Sequence, residues 1–384
     1  MDIKLLQPVK VVCTSDLSTT LTEILSTAEY TRPLIVTDAF VITMPLVTQV
    51  IAALRDAGTD VAVFDQVQSD PLASTISAGV DAFREHEADC IIAIGGGSSI
   101  DVARGINIVR VNGGNILDYT NPQQPMRTCP GLIAVPTTSG TGSELSNALI
   151  VTSDDQKLAV LADPAVSEYA VLCPELTLTL PQKQTIACGL DAFCHAAEGY
   201  LSVLASPVTD AICEKIMFLL AKYLPTAVHN GQDRYARERV QVASALAGWM
   251  LNNCGTIAGH SIAHVLGSKY HIVHGEAVGY ALPAVMKFVA PVRLQKVREI
   301  GQIFGAEYPE QSTDEQIAEI ACSTVQKFRD ETLGLHPFSD YGISQDELLS
   351  NIDAVVHERF AGNTPRLIDV TAAREILLGF GTRS

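Results

Sequence analysis

The first half of the chain alternates short apolar runs with segments whose apolar residues recur at helical spacing. "PLIVTD" (33–38), "DVAVFD" (60–65), "CIIAIGGG" (90–97) and "GLIAVPTT" (131–138) read as strands. Between them, "LVTQVIAALRDAG" (46–58), "STISAGVDAFREHEAD" (74–89) and the stretch "IDVARGINIVR" read as helices. This alternation predicts a mostly parallel sheet covered on both faces. After "CPELTLTLP" (173–181) the period changes. "QTIACGLDAFCHAAEGYLS", "SPVTDAICEKIMFLLAKYL", "YARERVQVASALAGWMLNN", "EQIAEIACSTVQKFRDETLG" and "DELLSNIDAVVHERF" all carry helical spacing. The pattern therefore predicts an α/β domain over residues 1–180 and an all-helical domain over residues 181–384, with the boundary near Pro181.

Composition agrees and narrows the partners. A chain of 384 residues exceeds the size of one ordinary core, which also favours two domains. With 47% hydrophobic and 18% charged residues it is a well-buried globular protein. The net charge of -17, from 43 acids against 26 bases, argues against nucleic acid or anionic membrane as a partner. Any bound phosphate must then be held by local dipoles against an unfavourable overall field. Nine cysteines without a C-x-x-C pair read as reduced thiols, not as a disulfide framework. The N-terminus has no signal-peptide pattern, and no uninterrupted run of ~18 apolar residues suggests a membrane span. The expected location is cytoplasmic.

The chemistry concentrates in three places. Four of the nine histidines, His260, His264, His271 and His274, fall within "GHSIAHVLGSKYHIVHG" (259–275). Upstream, "GLDAFCHAAEGY" (189–200) puts Asp191 and His195 four residues apart, on one helix face. His260 and His264 repeat that spacing. Asp191, His195 and two histidines of the later segment would make a site of one carboxylate and three imidazoles. Such donors suit Fe(II) or Zn(II), whereas Mg(II) or Ca(II) would want more oxygen.

The other two places are glycine-rich turns at strand ends. In "AIGGGSSIDVARG" (93–105), Gly96 and Gly97 lead from a strand into a helix, so backbone N–H groups and the helix dipole can meet a phosphate. Ser98 with Asp101 fits an S-x-x-D capping box at the helix start. "PTTSGTGSE" (136–144) offers the hydroxyls of Thr137, Thr138, Ser139 and Thr141. Carboxyl ends of parallel strands are where an open α/β sheet binds a nucleotide. Asp38, closing the first strand, can accept from a ribose 2'-hydroxyl and repel a 2'-phosphate, or it can cap the following turn.

With these residues assembled, the chain resembles the iron-dependent (group III) alcohol dehydrogenase family, in its lactaldehyde reductase and 1,3-propanediol dehydrogenase branch. "GGGSSID" resembles the family's pyrophosphate turn, and "PTTSGTGSE" its PTT-x-GTGSE loop, with Ser139 where alanine is common. "GLDAFCHAAEGY" and "GHSIAHVLGSKYHIVHG" resemble the two metal-binding motifs, with Val273 where proline is frequent. "GNTPR" (362–366) departs from the frequent GNPR. The resemblance implies a Rossmann-like NAD-binding domain followed by an all-α metal-binding domain, the architecture shared with dehydroquinate synthase. It implies Asp191, His195, His260 and His274 as ligands of Fe(II), or of Zn(II). His264 becomes a residue near the nicotinamide, and His271 its neighbour on the proton or substrate path. NAD would lie along Asp38, Asp70, Gly97, Ser98, Thr137, Thr138 and Thr141, with Lys157 near the nicotinamide ribose. The implied activity is hydride transfer between NAD and a small primary alcohol or diol and its aldehyde, in a homodimer or larger assembly. A glycerol dehydrogenase-like polyol oxidoreductase and, more distantly, a dehydroquinate synthase-like lyase are the alternatives.

Overall fold

The computed structural model describes residues 4–153 and 156–383. The chain divides into two compact units, Leu6–Thr179 and one made chiefly of Leu180–Ser384. The first holds β1 (Lys10–Cys13), β2 (Pro33–Asp38), β3 (Ala62–Val67), β4 (Cys90–Gly95), β5 (Leu132–Pro136), β6 (Ala148–Ser153), β7 (Gln156–Leu161) and β8 (Tyr169–Leu172). Six strands form a parallel sheet in the order β1-β8-β5-β4-β2-β3, and β6 pairs with β7 antiparallel. Helices α1 (Leu17–Thr27), α2 (Pro45–Asp56), α3 (Ala73–Glu85) and α4 (Gly97–Asn112) connect them.

The central strands read as unbroken apolar runs because both faces of the sheet are covered. Leu34, Val36, Ile91, Ala93, Leu132 and Ala134 enter a core with residues of α3 and α4. Their neighbours Ile35, Ile92, Ile94, Ile133 and Val135 point the other way, into a core with α1 and α2. The four strands expected from the pattern are present within two residues of their expected starts. The edge strand β1, the β6–β7 pair and β8 are additions that the pattern did not single out. They are only four to six residues long.

The second unit is helical: α5 (Gln182–Leu201), α6 (Pro207–His229), α7 (Arg234–Asn253), α8 (Ala258–Tyr270), α9 (His274–Ile303), α10 (Asp314–Lys327), α11 (Gln345–Leu349), α12 (Ile352–His357) and α13 (Val370–Leu378). The expected single helix through "DELLSNIDAVVHERF" is broken between α11 and α12. There the Asn351 side chain donates to the carbonyls of Glu347 and Leu348, and the Ser350 hydroxyl to that of Glu347. These local bonds take carbonyls that would otherwise continue the helix. Helix α9 is long and apolar enough to cross a membrane, at mean hydropathy 1.3, yet 67% of that stretch is buried inside the fold. Pro283, Lys287 and Pro291 interrupt the run, and Arg293 leaves helical geometry at φ −137°, ψ 27°.

Helices α5 and α9 touch at backbone distance. A Cβ on Gly275 would stand 1.9 Å from the carbonyl oxygen of Ala187, so only glycine fits at the start of α9. Gly275→Ala should therefore cost about 1–3 kcal/mol, the usual penalty of an overpacked interior. Urea unfolding measures it; wild-type stability in the variant would mean the two helices can part without cost.

Candidate metal centre and cofactor turns

One face of α5 carries Asp191, His195 and Glu198 on successive turns, all buried. Around Asp191 Oδ1 stand three imidazole nitrogens: His195 Nε2 at 3.6 Å, His260 Nε2 at 3.7 Å and His274 Nε2 at 3.4 Å. His260 comes from α8 and His274 from the first position of α9. The His195 and His260 rings stack at 4.6 Å, and those of His264 and His274 at 5.5 Å.

None of these contacts is a well-formed hydrogen bond. Asp191 Oδ1 and His260 Nε2 are buried and have no hydrogen-bond partner. Unpaired buried polar atoms of this kind are costly and call for an explanation. Ligands sitting at about 2.0–2.2 Å from a tetrahedral ion lie roughly 3–4 Å from one another. The spacing and the donor set both fit a transition-metal ion.

Electrostatics agree. Burial alone would raise the Asp191 carboxyl, but His195, His274 and His260 hold it well below the ordinary range. Burial and the neighbouring imidazoles push His195 down to about 3, against the pull of Asp191. His260 goes the other way, up to about 10, because Glu198 and Asp191 overcome its burial. The field that would hold a proton on His260 would hold a cation equally well.

Glu198 is the residue whose role the pattern did not reveal. It is fully buried, and its Oε1 lies 2.8 Å from His260 Nδ1. Its Oε2 accepts the backbone N–H groups of Ile257 at 2.8 Å and His260 at 3.2 Å. It thus caps α8, whose own N-cap residue, Ile257, has no side chain able to do so. Gly259 makes room for it, since a Cβ there would come within 2.4 Å of Glu198 Oε1. An Asp191–His195–Glu198 spacing of four and three residues in an apolar helix was the signal available.

Of the other two histidines, His264 joins the cluster and His271 does not. His264 Nδ1 lies 3.2 Å from Glu358 Oε1, and burial depresses its pKa. His271 is exposed at the end of α8 with left-handed φ 54°, ψ 34°, and among the described residues it takes no part in the ring contacts of the cluster.

In the sheet unit, β2, β4 and β5 are neighbours and end at Asp38, Gly95 and Pro136. The two turns interlock. Thr137 N donates to Gly95 O at 2.9 Å, and Cβ atoms on Gly96 and Gly97 would stand 3.3 Å from Thr138 Cγ2 and 2.9 Å from Thr141 Cγ2. Gly96, Gly97 and Ser98 are half-buried. The expected capping box is absent. Gly96 is the N-cap, with no side-chain cap, and Asp101 turns away to accept Ile150 N–H at 3.1 Å. Asp101 is drawn there by Arg104, itself fully buried, whose two terminal nitrogens donate to the carbonyls of Ser143 and Ala148. Asp38 divides its carboxylate. Oδ1 caps the next turn through Phe40 N–H and Val41 N–H, both at 2.9 Å, and a Cβ on Gly95 would lie 3.9 Å from Oδ2. Asp70, at φ 57°, and Lys157 pair with each other at 2.6 Å.

Two family models together cover most of the chain: "Iron-containing alcohol dehydrogenase" over residues 8–174 and "Fe-containing alcohol dehydrogenase family, C-terminal" over residues 185–378. The chain belongs to the iron-containing alcohol dehydrogenase family. It is 33% identical to the NAD-dependent methanol dehydrogenase of Bacillus methanolicus over 349 residues, 90% of this chain and 91% of that one. It is 31% identical to the 1,3-propanediol dehydrogenase of Citrobacter freundii over 322 residues, 83% of each. Its fold is similar to a crystal structure of 1,3-propanediol oxidoreductase, with TM-score 0.91 and 28% identity, covering 99% of this chain and all of the other.

The Arg104 cluster has a pH signature. Burial pushes the Glu144 carboxyl up to about 7, against its own backbone N–H and Arg104. A carboxyl raised on folding holds a proton that the unfolded chain has already lost. Stability therefore falls as pH rises from 4.5, its ordinary value, to about 7. Glu144→Gln has no such proton. Between about pH 5 and about pH 8 it should gain roughly 1–3 kcal/mol relative to wild type. Urea unfolding at the two pH values checks this, and parallel pH profiles would place the titration elsewhere.

Proposed function

We propose that this chain is a metal-dependent dehydrogenase that moves hydride between NAD and a small primary alcohol or diol and the corresponding aldehyde. Asp191, His195, His260 and His274 hold the metal. The observation that carries this reading is the single buried oxygen of Asp191 ringed by three imidazole nitrogens at 3.4–3.7 Å. The names of the relatives, which act on methanol and on 1,3-propanediol, support the substrate class.

When bound, the metal, Fe(II) or alternatively Zn(II), supplies a Lewis acid for the substrate oxygen, and NAD supplies the hydride acceptor. The residues of the chain do the rest. Glu198 holds His260 by Nδ1, which leaves Nε2 turned toward Asp191. His264, stacked on His274, and His271, exposed at the end of the same helix, are the proposed route for the hydroxyl proton. The N–H groups at Gly96, Gly97 and Ser98 receive the pyrophosphate through the N-terminus of α4, which suits a chain with no charge to spare for anions. Thr137, Thr138 and Thr141 line the same turn with hydroxyls. Asp70 and Lys157 orient each other beside the cofactor. Asp38 Oδ2, free of the cap, accepts from the adenosine ribose. Nine cysteines, none in a disulfide among the described residues, suit a reducing cytoplasm, and a homodimer or larger assembly belongs to the same proposal.

The test is metal-free protein reloaded with Fe(II) or Zn(II) and given NAD with short alcohols and diols. NADH should form with metal and not without it. His260→Ala should lose both metal and turnover, while His264→Ala should keep most of its metal and turn over slowly, since groups beyond the ligands typically change affinity only ~10–100-fold. Full metal occupancy in His260→Ala would remove that residue from the ligand set.

Cofactor choice gives a separate test. Wild type should prefer NAD over NADP by at least ~10-fold in kcat/KM, the ratio produced by about 1.4 kcal/mol. Asp38→Asn keeps an oxygen for the Phe40 and Val41 N–H groups but removes the charge that faces a 2'-phosphate. It should improve NADP use with little change in melting temperature. An unaltered NAD/NADP ratio would leave Asp38 as a turn cap only.

A further inference from the structure

The segment after α12 lies along α8 and is pinned to it repeatedly. Asn363 Nδ2 donates to Thr256 O at 3.0 Å, just ahead of α8. Thr364 Oγ1 accepts the N–H of Ala258, the first residue of α8, at 3.1 Å. This is the threonine by which "GNTPR" departs from the common motif, and here its hydroxyl satisfies a helix N–H that has no partner within the helix. Together with Glu198, it fixes the first turn of the helix that carries both His260 and His264.

The third pin is Glu358. Its Oε2 accepts Phe360 N–H at 2.8 Å and so starts the short turn Arg359–Asn363. Its Oε1 lies 3.2 Å from His264 Nδ1, with only 16% of the Glu358 side chain and 26% of the His264 side chain exposed. The Phe360 ring meets the His264 ring edge-on, at 5.5 Å and 61°. On its other side, His264 lies nearly parallel to His274, at 15°.

We propose that Glu358 is a positioning residue for His264: its carboxylate holds Nδ1–H, while Phe360 and His274 fix the plane of the ring, leaving Nε2 as the one polar atom free for the reaction. The inference rests on the reading above that His264 stands beside the reacting atoms. An imidazole on a helix can turn about its side-chain bonds, and either nitrogen can carry the proton. A carboxylate on Nδ1 removes both freedoms, the logic by which an acid orients a catalytic histidine elsewhere. Glu358 also ties that orientation to the 358–364 segment, so the ring is set by a stretch of chain nearly a hundred residues downstream of it.

The test uses zinc-loaded protein, which is suited to magnetic resonance. Histidine is labelled with nitrogen-15, and the His264 ring N–H signal is assigned by its loss in His264→Ala. Wild type should show a downfield, exchange-protected Nδ1–H. Glu358→Ala should lose that signal and about 10–100-fold of kcat, with bound zinc and the KM for NAD kept. Glu358→Gln, whose carbonyl can still accept from Nδ1–H, should recover the signal and most of kcat. An unchanged ring signal or wild-type kcat in Glu358→Ala overturns the proposal. So does a joint loss of zinc, fold and turnover that Glu358→Gln repairs with no Nδ1–H signal at all, because Glu358 would then serve the fold alone. His264→Ala with wild-type turnover would instead sink the role of His264, whatever Glu358 does to its ring.

Discussion

The helical unit is organised around two carboxylates buried on one face of α5. Taking a carboxylate out of water costs several kcal/mol unless positive charge and hydrogen bonds replace the lost solvent. Glu198 is compensated internally, by two backbone N–H groups at the start of α8 and one imidazole nitrogen. Asp191 is compensated by charge instead: three imidazole nitrogens stand 3.4–3.7 Å from its Oδ1, which has no hydrogen-bond partner, and they hold the carboxyl well below the ordinary range. The packing follows from this arrangement. Gly259 lets the Glu198 carboxylate reach α8, and Gly275 lets α9 start against α5 so that His274 arrives beside Asp191. Removing room at either glycine would displace an imidazole of the cluster as well as a helix.

The sheet unit solves a different charge problem. A chain with net charge -17 has to hold an anionic cofactor without surrounding it with lysines. Its nearest buried cation, Arg104, is turned inward. It braces the carbonyls of Ser143 and Ala148, while Asp101 braces the N–H of Ile150. These bonds fasten α4 to the hydroxyl-rich turn and to β6. The glycine turn opens α4 with no side-chain cap, and under the proposed reading its N–H groups and helix dipole would serve the phosphate. Lys157 is paired with Asp70 at 2.6 Å. Burial of Arg104 between Asp101 and Glu144 is costly, and it makes sense as a means of fixing one backbone conformation where two glycine-bearing turns could otherwise adopt many.

What could be read in the sequence, and what could not, divides along the same physical lines. The central strands and the main helices were legible because covered sheets and buried helices impose a strict period on apolar residues. The cluster of Asp191, His195, His260 and His274 was legible as a set of residue types at helical spacing, although spacing alone did not separate His260 or His274 from His264. Contacts that depend on tertiary placement were not legible. Asp101 matched a capping box locally, but the buried Arg104 three residues on took it elsewhere. Glu198 carries no local signal for its role, because the N–H groups it accepts belong to α8, about sixty residues downstream. Asp38 was open between cap and ribose acceptor, and the structure gives one oxygen to the cap and leaves the other facing Gly95.

The two units therefore depend on different stabilising chemistry. In the helical unit three helices, α5, α8 and α9, each bring a carboxylate or an imidazole to one point, so an ion bound there would be held only by the folded arrangement and would stabilise it in turn. The sheet unit carries its buried cation permanently, in the form of Arg104, and needs no ligand to satisfy it. Its bonds to the carbonyls of Ser143 and Ala148 fix the turns without help from a ligand. The two units thus balance buried charge differently: imidazoles around Asp191 in the helical unit, and Arg104 between two carboxyls in the sheet unit.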